Sequence, residues 1–419
     1  MFFSLFSLIS SIPPLILIPP MYGSQIKMSY KNASLPWYCP SKMNDEILWV
    51  NPKFAIPPLI NCLAILLTVN YENGKMVSYP GTKAQIHDFG GDTSISYADS
   101  GLFGIHFLNS YHYLIKYLKT KNYTTYHNLF GVPYDWRFAI VGLEDIDFYS
   151  QFKHLIKHAY ELNNHTKVAL LGCSTGGFII QYFLSTKVSL EWAQKYIDRI
   201  IYIAPSFSGL GVTWESVYSH YSPVVPFYRC DYLTTMLQGM PVLYSHFPNR
   251  EIFQGYPVAY GPNNEAYYAS DLPKLFINNR RIFGDYIKMM NRSVEITKKA
   301  PLPPKIPTYI IYNDAIPTNF KYNFSRGWDK MPIPITVPGD GTVPAFGLEW
   351  ACKNWTYQDN QKQPLICSNL EQKSSNFLHS SIISNPRVLS LIYKVLEDEK
   401  WIKEKNNIWY KHGDDPFFK

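Results

Sequence analysis

The chain has 419 residues, 46% hydrophobic and 16% aromatic, with 39 basic against 32 acidic residues and a formal charge of +7. That is enough apolar material for one large core or a core with an insertion, and it excludes a disordered or low-complexity chain. The modest basic surplus has no dense Lys/Arg cluster, so nucleic acid is not expected as a partner, whereas an anionic membrane surface is compatible with it.

The first 26 residues carry no charge. The run "FFSLFSLISSIPPLILIPP" is strongly apolar, but its two Pro-Pro pairs argue against a membrane-spanning helix. Residues 1–26 are therefore read as a cleaved signal peptide that lacks a basic n-region, an uncleaved anchor being the rival. Six N-x-S/T sequons follow, at Asn32, Asn122, Asn164, Asn291, Asn323 and Asn354. They agree with entry into the secretory pathway, as extracellular or lysosome/vacuole lumen protein. The cysteines are Cys39, Cys62, Cys173, Cys230, Cys352 and Cys367. None forms a C-x-x-C pair, so no metal site is expected. Cys39 with Cys62 and Cys352 with Cys367 are close enough in sequence to read as disulfides in an oxidising compartment. Cys173 reads as a buried free thiol, and Cys230 has no obvious partner.

"KMVSYP" and "KAQIHDF" read as early strands, and the following "IHDFGGD" at 86–92 as a glycine-rich loop. Helical periodicity covers 104–121 and 147–163. Next comes "VALLGCSTGGFIIQYF" at 168–183, an apolar strand, then Gly172-Cys173-Ser174-Thr175-Gly176, then an apolar helix. A serine two residues from a glycine on each side, between a strand and a helix, marks a sharp turn that exposes a nucleophile. "WAQKYIDRIIYIAPS" closes a helix and opens another strand. Residues 206–300 lose the strand–helix rhythm and read as an inserted cap. "IPTYIIYND" is a strand at 306–314, and the chain ends with a helix from about 386. Strands alternating with helices imply a mostly parallel sheet covered on both faces.

A serine hydroxyl needs a base, and the base needs an orienting acid. In α/β-hydrolases these follow in the order serine, acid, histidine. "VPGDGTVPAF" places Asp340 on a tight Gly-flanked turn beyond the 306–314 strand. Two histidines follow it, His379 in "SSNFLHSSIISNPRV" and His412 in a polar tail, and His379 is the better base. The oxyanion of an acyl transfer would be held by the N–H of Thr175 and by an N–H from the 86–92 loop, Phe89 or Gly90. No cofactor is needed for this chemistry.

With these residues identified, the chain resembles the lecithin:cholesterol acyltransferase and lysosomal phospholipase A2 family over roughly residues 36–400. The likeness rests on "WYC" followed by Cys62, "HDFGG", "PYDWR", "LLGCSTGG", "IAPSFSG", "PGDGTVP" and "FLHSS". The resemblance implies an α/β-hydrolase with a mostly parallel sheet, an inserted cap and a small membrane-binding region. It implies acyl transfer from a membrane glycerophospholipid, through a Ser174 ester, to water or to a lipid alcohol such as a sterol. By motif it makes Ser174 the nucleophile, Asp340 the acid and His379 the base, with Phe89 and Thr175 at the oxyanion. It also implies a Cys39–Cys62 disulfide closing a loop that touches a phospholipid membrane or lipoprotein surface. The apolar residues of that loop, Trp49, Val50, Phe54, Ile56, Leu59 and Ile60, agree with such a contact.

The expected division is 27–75 membrane-binding region, 76–205 first part of the core, 206–300 cap, 301–400 second part, and 401–419 tail. The chain departs from its relatives in three places. Cys173 stands where many have histidine, "APSFSG" replaces a Trp-Gly-Gly version, and the strand near residue 310 lacks the cysteine that usually pairs with Cys352. Cys352 is then left to Cys367 or stays free. The competing reading is a lipid-binding or lipid-transfer protein on the same fold without catalysis, and a serine peptidase is a further one. Oligomeric state is not legible.

Overall fold

The computed structural model describes residues 12–101, 105–138, 140–220, 231–355, 363–404, 407–411 and 413–418. Cys230, His412 and the first eleven residues lie outside them. The centre is a seven-stranded sheet. Its strands are β1 (Leu15–Ile18), β2 (Leu129–Gly131), β3 (Val168–Cys173), β4 (Ile197–Ile203), β5 (Thr308–Tyr312), β6 (Leu365–Asn369) and β7 (Asn407–Tyr410). They lie in the order β7-β6-β5-β4-β3-β1-β2, and every pairing is parallel.

The strands are apolar runs because both faces are covered. Side chains alternate between two cores. Ile16, Ile18, Leu170, Ile200 and Ile310 enter one core. Leu15, Leu17, Leu171, Ile201 and Ile311 enter the other. The principal helices are α1 (Leu59–Leu67), α2 (His112–Lys119), α3 (Phe148–Leu162), α4 (Thr175–Thr186), α5 (Gly211–Ser219) and α6 (Pro386–Glu397). The first core takes Phe152 and Ile156 of α3 with Phe178 and Ile179 of α4. The second takes Leu114 and Leu118 of α2 with Leu391 and Ile392 of α6. The α/β architecture expected from the alternation is thus present.

The first strand corrects the expectation for residues 1–26. Leu15 to Ile18 are fully buried between β2 and β3, so "LILI" is a strand of the central sheet and not part of a leader. A short apolar run bounded by Pro-Pro pairs suits a buried parallel strand as well as a hydrophobic leader, and periodicity does not separate them. The two stretches read as early strands, found at Lys75–Ser78 and Thr82–Gln85, belong instead to small peripheral sheets. Of the helix read at 104–121, the helical part is α2, whose N-cap Tyr111 makes no side-chain capping hydrogen bond, while residues 105–111 lie outside any helix and Gly104 lies outside the described residues.

The chain runs from β1 outward to β2 and then returns to β3 on the other side of β1. The carboxyl ends of β1 and β3 therefore form the point where the winding direction switches, the usual place for a ligand site in an open parallel sheet.

Candidate active site

Ser174 sits on the turn from β3 into α4 with φ 54° and ψ −121°. That backbone region costs a non-glycine residue about 1–3 kcal/mol and persists only when its surroundings enforce it. The enforcement is visible. The Ser174 N–H donates to Ile203 O at 2.9 Å and its carbonyl accepts from Gly177 N at 3.0 Å. A Cβ on Gly172 would come within 2.6 Å of the Gly176–Gly177 backbone, and one on Gly176 within 2.1 Å of Ile18 O. Both glycines are therefore demanded by close approach, the second by β1 itself.

Asp340 ends the strand Ile333–Asp340, the outgoing half of a hairpin with Ala315–Asn323 that follows β5. It is thus carried by a side hairpin rather than directly by a central strand. Its Oδ1 accepts from Thr342 N at 3.0 Å and Val343 N at 2.7 Å. Its Oδ2 lies 2.7 Å from His379 Nδ1, and the His379 N–H donates to Asp340 O at 2.9 Å. A carboxylate bound this way accepts the Nδ1 proton, which leaves Nε2 as the basic nitrogen. Ser174 and His379 both line one cavity of about 800 Å³ at the switch point. His379 lies between β6 and α6, ahead of the last helix as its sequence context suggests.

The cavity is also lined by Pro20, Met21, Tyr22 and Gly23, the turn that leaves β1. Phe89 does not line it. Phe89 packs edge-on against Phe148, and the neighbouring Gly90 N–H is used on Gly131 O at the end of β2. This corrects the oxyanion assignment of Phe89. The loop after the strand adjacent to the nucleophile strand can face the reacting carbonyl, and that strand is β1, not Thr82–Gln85. Met21, on that turn, lines the cavity and was passed over in the sequence because "LILIPPMYGS" had been taken for a leader. Neither the Met21 nor the Thr175 N–H has a hydrogen-bond acceptor among the described residues.

The β1 turn and the elbow are tied together. Tyr111 OH donates to Ile18 O at 2.7 Å and accepts from Cys173 N at 3.1 Å, and Tyr134 OH donates to Pro19 O at 3.0 Å. Cys173 is a buried free thiol, and burial pushes its pKa well up, so it is not a competing nucleophile. Behind the elbow lies His246, fully buried. Its Nδ1 is 2.8 Å from Val242 O, a pure acceptor, so Nδ1 carries the proton. Its Nε2 then accepts, and Thr175 Oγ1 and Ser206 Oγ each lie 3.0 Å from it. Burial lowers the His246 pKa to about 4, with the Val242 carbonyl opposing and nearby His379 reinforcing the shift.

Cys39 is bonded to Cys62, and Cys352 to Cys367. The apolar residues between the first pair are mostly not at the surface. Trp49, Phe54 and Ile60 are buried, while Val50 and Leu59 are half-buried and pack against the core. Trp49 lies against Tyr22 and Trp136, with its indole N–H on Tyr22 O at 3.0 Å. Trp49 thus packs beneath the β1 turn and Val50, Phe54, Leu59 and Ile60 are wholly or partly buried, which corrects their assignment as membrane contacts. Ile56 alone of the six is well exposed, at 65%, and Trp37 beside the disulfide is 94% exposed.

A family model described as lecithin:cholesterol acyltransferase matches residues 45–267 of the chain. The chain belongs to the lecithin:cholesterol acyltransferase family. It is an α/β-hydrolase enzyme of the acyltransferase and phospholipase class. Among its relatives, the bovine protein named lysosomal phospholipase A and acyltransferase is 24% identical over 396 residues, spanning 92% of this chain and 91% of its own. The human protein of that name is 22% identical over 92% of this chain and 90% of its own. A rice lecithin-cholesterol acyltransferase-like 1 protein is 20% identical over 59% of this chain and 57% of its own. In three dimensions the chain is similar to a chain of the Tle4-Tli4 complex, with a TM-score of 0.54 at 11% identity, over 94% of this chain and 99% of that one. That likeness speaks to the fold.

Proposed function

We propose that this protein transfers a fatty acyl group from a membrane glycerophospholipid, through an ester on Ser174, to water or to a lipid alcohol such as a sterol. The observation that carries this reading is the meeting of Ser174 and the Asp340-bound His379 in one cavity beside two unengaged backbone N–H groups. In the first step His379 Nε2 takes the Ser174 hydroxyl proton and Oγ attacks the ester carbonyl. The N–H groups of Met21 and Thr175 receive the oxyanion, each contributing about 3 kcal/mol to lowering the barrier. The N-terminus of α4 adds its positive dipole end. His379 then protonates the leaving lysophospholipid, and Asp340 holds the imidazolium throughout. In the second step the acceptor hydroxyl gives its proton to His379 and takes the acyl group from Ser174.

Two disulfides fit a protein of the secretory pathway. The names of the mammalian relatives favour a lysosomal lumen within that pathway. Ile56 and Trp37 are the residues we assign to the bilayer surface.

The test is purified protein on phosphatidylcholine vesicles, with and without cholesterol, beside Ser174→Ala. Fatty acid release, or a new cholesteryl ester, that is lost in Ser174→Ala supports the reading. Equal and negligible turnover by both proteins, with vesicle binding retained, would replace it with a lipid-binding function.

A further inference from the structure

Behind the nucleophile lies a histidine for which the two-step mechanism has no use. His246 follows the short helix Pro241–Ser245 and is fully buried. It does not line the cavity, so it does not touch the bound lipid. Its ring stands edge-on to Phe178 of α4, with 6.0 Å between centroids. A buried imidazole is costly to keep unless both of its nitrogens are satisfied.

Both are satisfied here, and one of them by the elbow. The Val242 carbonyl takes the Nδ1 proton and fixes the tautomer. Nε2 is left with one lone pair, and two hydroxyls face it, Thr175 Oγ1 and Ser206 Oγ, each at 3.0 Å. Nε2 carries no proton, so the hydroxyls donate and share the lone pair. Burial lowers the His246 pKa to about 4, so Nε2 stays an acceptor in neutral and mildly acidic surroundings. The backbone of His246 is fixed as well, since its carbonyl accepts from Leu210 N at 2.8 Å and Thr213 Oγ1 at 3.1 Å. The ring is therefore a rigid post set against the first residue of α4. Thr175 is β-branched, with Oγ1 two bonds from Cα. Holding that atom holds χ1, and the Thr175 main chain with it. That main chain carries one of the two N–H groups at the cavity that lack an acceptor among the described residues.

We propose that His246 is a positioning residue for the reaction: through Thr175 Oγ1 it holds the Thr175 peptide so that its N–H meets the oxyanion formed when Ser174 attacks the ester. This rests on the acyl-transfer reading above. A donor stabilises the oxyanion most when it is aimed before the charge develops, because no reorganisation is then needed during the reaction. A misplacement of about 1 Å can cost about a hundredfold in rate. The elbow is held on each side of the nucleophile by a side chain from elsewhere in the chain. Tyr111 OH holds the residue before Ser174, through Cys173 N, and His246 holds the residue after it. His246 itself takes up and releases no proton in the cycle.

The experiment follows hydrolysis of p-nitrophenyl butyrate by wild type, Thr175→Val, Thr175→Ser, His246→Gln and the double variant Thr175→Val with His246→Gln. Reactive serine is counted with a fluorophosphonate carried to completion, and rates are expressed per counted serine, which divides out misfolded protein. A trifluoromethyl ketone, which adds to Ser174 and leaves an oxyanion, reports on the donors directly. Thr175→Val keeps the branched shape and leaves Ser206 on Nε2, so it removes the tether and little else. We expect Thr175→Val and His246→Gln each to lower kcat per serine about tenfold with KM nearly unchanged, and to weaken the ketone by a similar factor. Thr175→Ser, which restores the hydroxyl, should recover most of that loss. The double variant should fall no further than either single one, because both remove the same tether. Fewer counted serines with an unchanged kcat per serine and unchanged ketone affinity would make His246 a structural residue and overturn the proposal. Equal losses in Thr175→Val and Thr175→Ser also overturn it, as do single losses that multiply in the double variant. If His246→Gln does not fold, Thr175→Val and Thr175→Ser decide. A wild type with neither reactive serine nor turnover instead removes the acyl-transfer reading beneath it.

Discussion

Ser174 is held by its neighbours more than by its own preferences. Its positive φ is enforced from both sides, by a hydrogen bond to Ile203 of β4 and by glycines that touch backbone where any side chain would collide. Gly176→Ala is the sharpest check of that statement. The new methyl would sit 2.1 Å from Ile18 O, so β1 or α4 must move, at a cost of about 1–3 kcal/mol in stability. Turnover should fall far more than stability, because the same movement displaces the Met21 and Thr175 N–H groups that we propose hold the oxyanion. A variant that melts lower but turns over normally would show that the β1 turn plays no part in the chemistry. Asp340→Asn carries a separate expectation. Asparagine keeps the hydrogen-bond geometry but presents either a donor or the wrong charge to His379 Nδ1, so turnover should drop on the order of ten-thousandfold with little change in vesicle binding. These residues were legible from motif and order alone, since spacing along the chain constrains strand, turn and helix together. His246 was not, because its partners Thr175 and Ser206 lie 71 and 40 residues away and nothing local marks it.

At the scale of elements, the informative failure is β1. Four apolar residues beside Pro-Pro pairs carry no periodicity to distinguish strand from leader, and only the tertiary fact that β1 sits between β2 and β3 decides the matter. Reading it as a leader left out the β1 turn, whose residues Pro20 to Gly23 line the cavity. The segment between Cys39 and Cys62 shows the same limit. Composition reported its apolar character, but burial divides its residues between core and surface in a way composition does not reveal. A prediction follows from that division. Ile56→Ser and Trp37→Ser, singly or together, should lower turnover of phospholipid vesicles about tenfold while leaving hydrolysis of a soluble short-chain ester intact, because each removes exposed apolar surface and no core contact. Trp49→Ser should do the opposite, impairing both substrates, because it removes the side chain that packs on Tyr22 and Trp136. Equal losses on both substrates for Ile56→Ser would place that residue in the fold's support rather than at a membrane.

Across the whole molecule, two buried groups give the stability of the fold opposite responses to pH. His246 has its folded pKa lowered to about 4 from 6.5. Its contribution is fully present above pH 6.5 and is lost as pH falls toward 4, because the unfolded chain takes up the proton first. Glu215 has its folded pKa raised to about 7 from 4.5. Its contribution is present below pH 4.5 and is lost as pH rises toward 7, because the unfolded chain releases the proton first. Each shift corresponds to about 3 kcal/mol over its window. Between pH 4.5 and 6.5 the two slopes oppose each other and nearly cancel. The urea midpoint of wild type should then change little between those pH values on account of this pair. Glu215→Leu removes the falling slope, so its stability should rise from pH 4.5 to 6.5. His246→Gln removes the rising one, so its stability should fall over the same interval. The His246 carbonyl accepts from Thr213 Oγ1, on the same helix as Glu215, so the double variant measures how far the two effects couple. Midpoints that shift by the same amount at both pH values in either single variant would mean that the group titrates alike in the folded and unfolded chain.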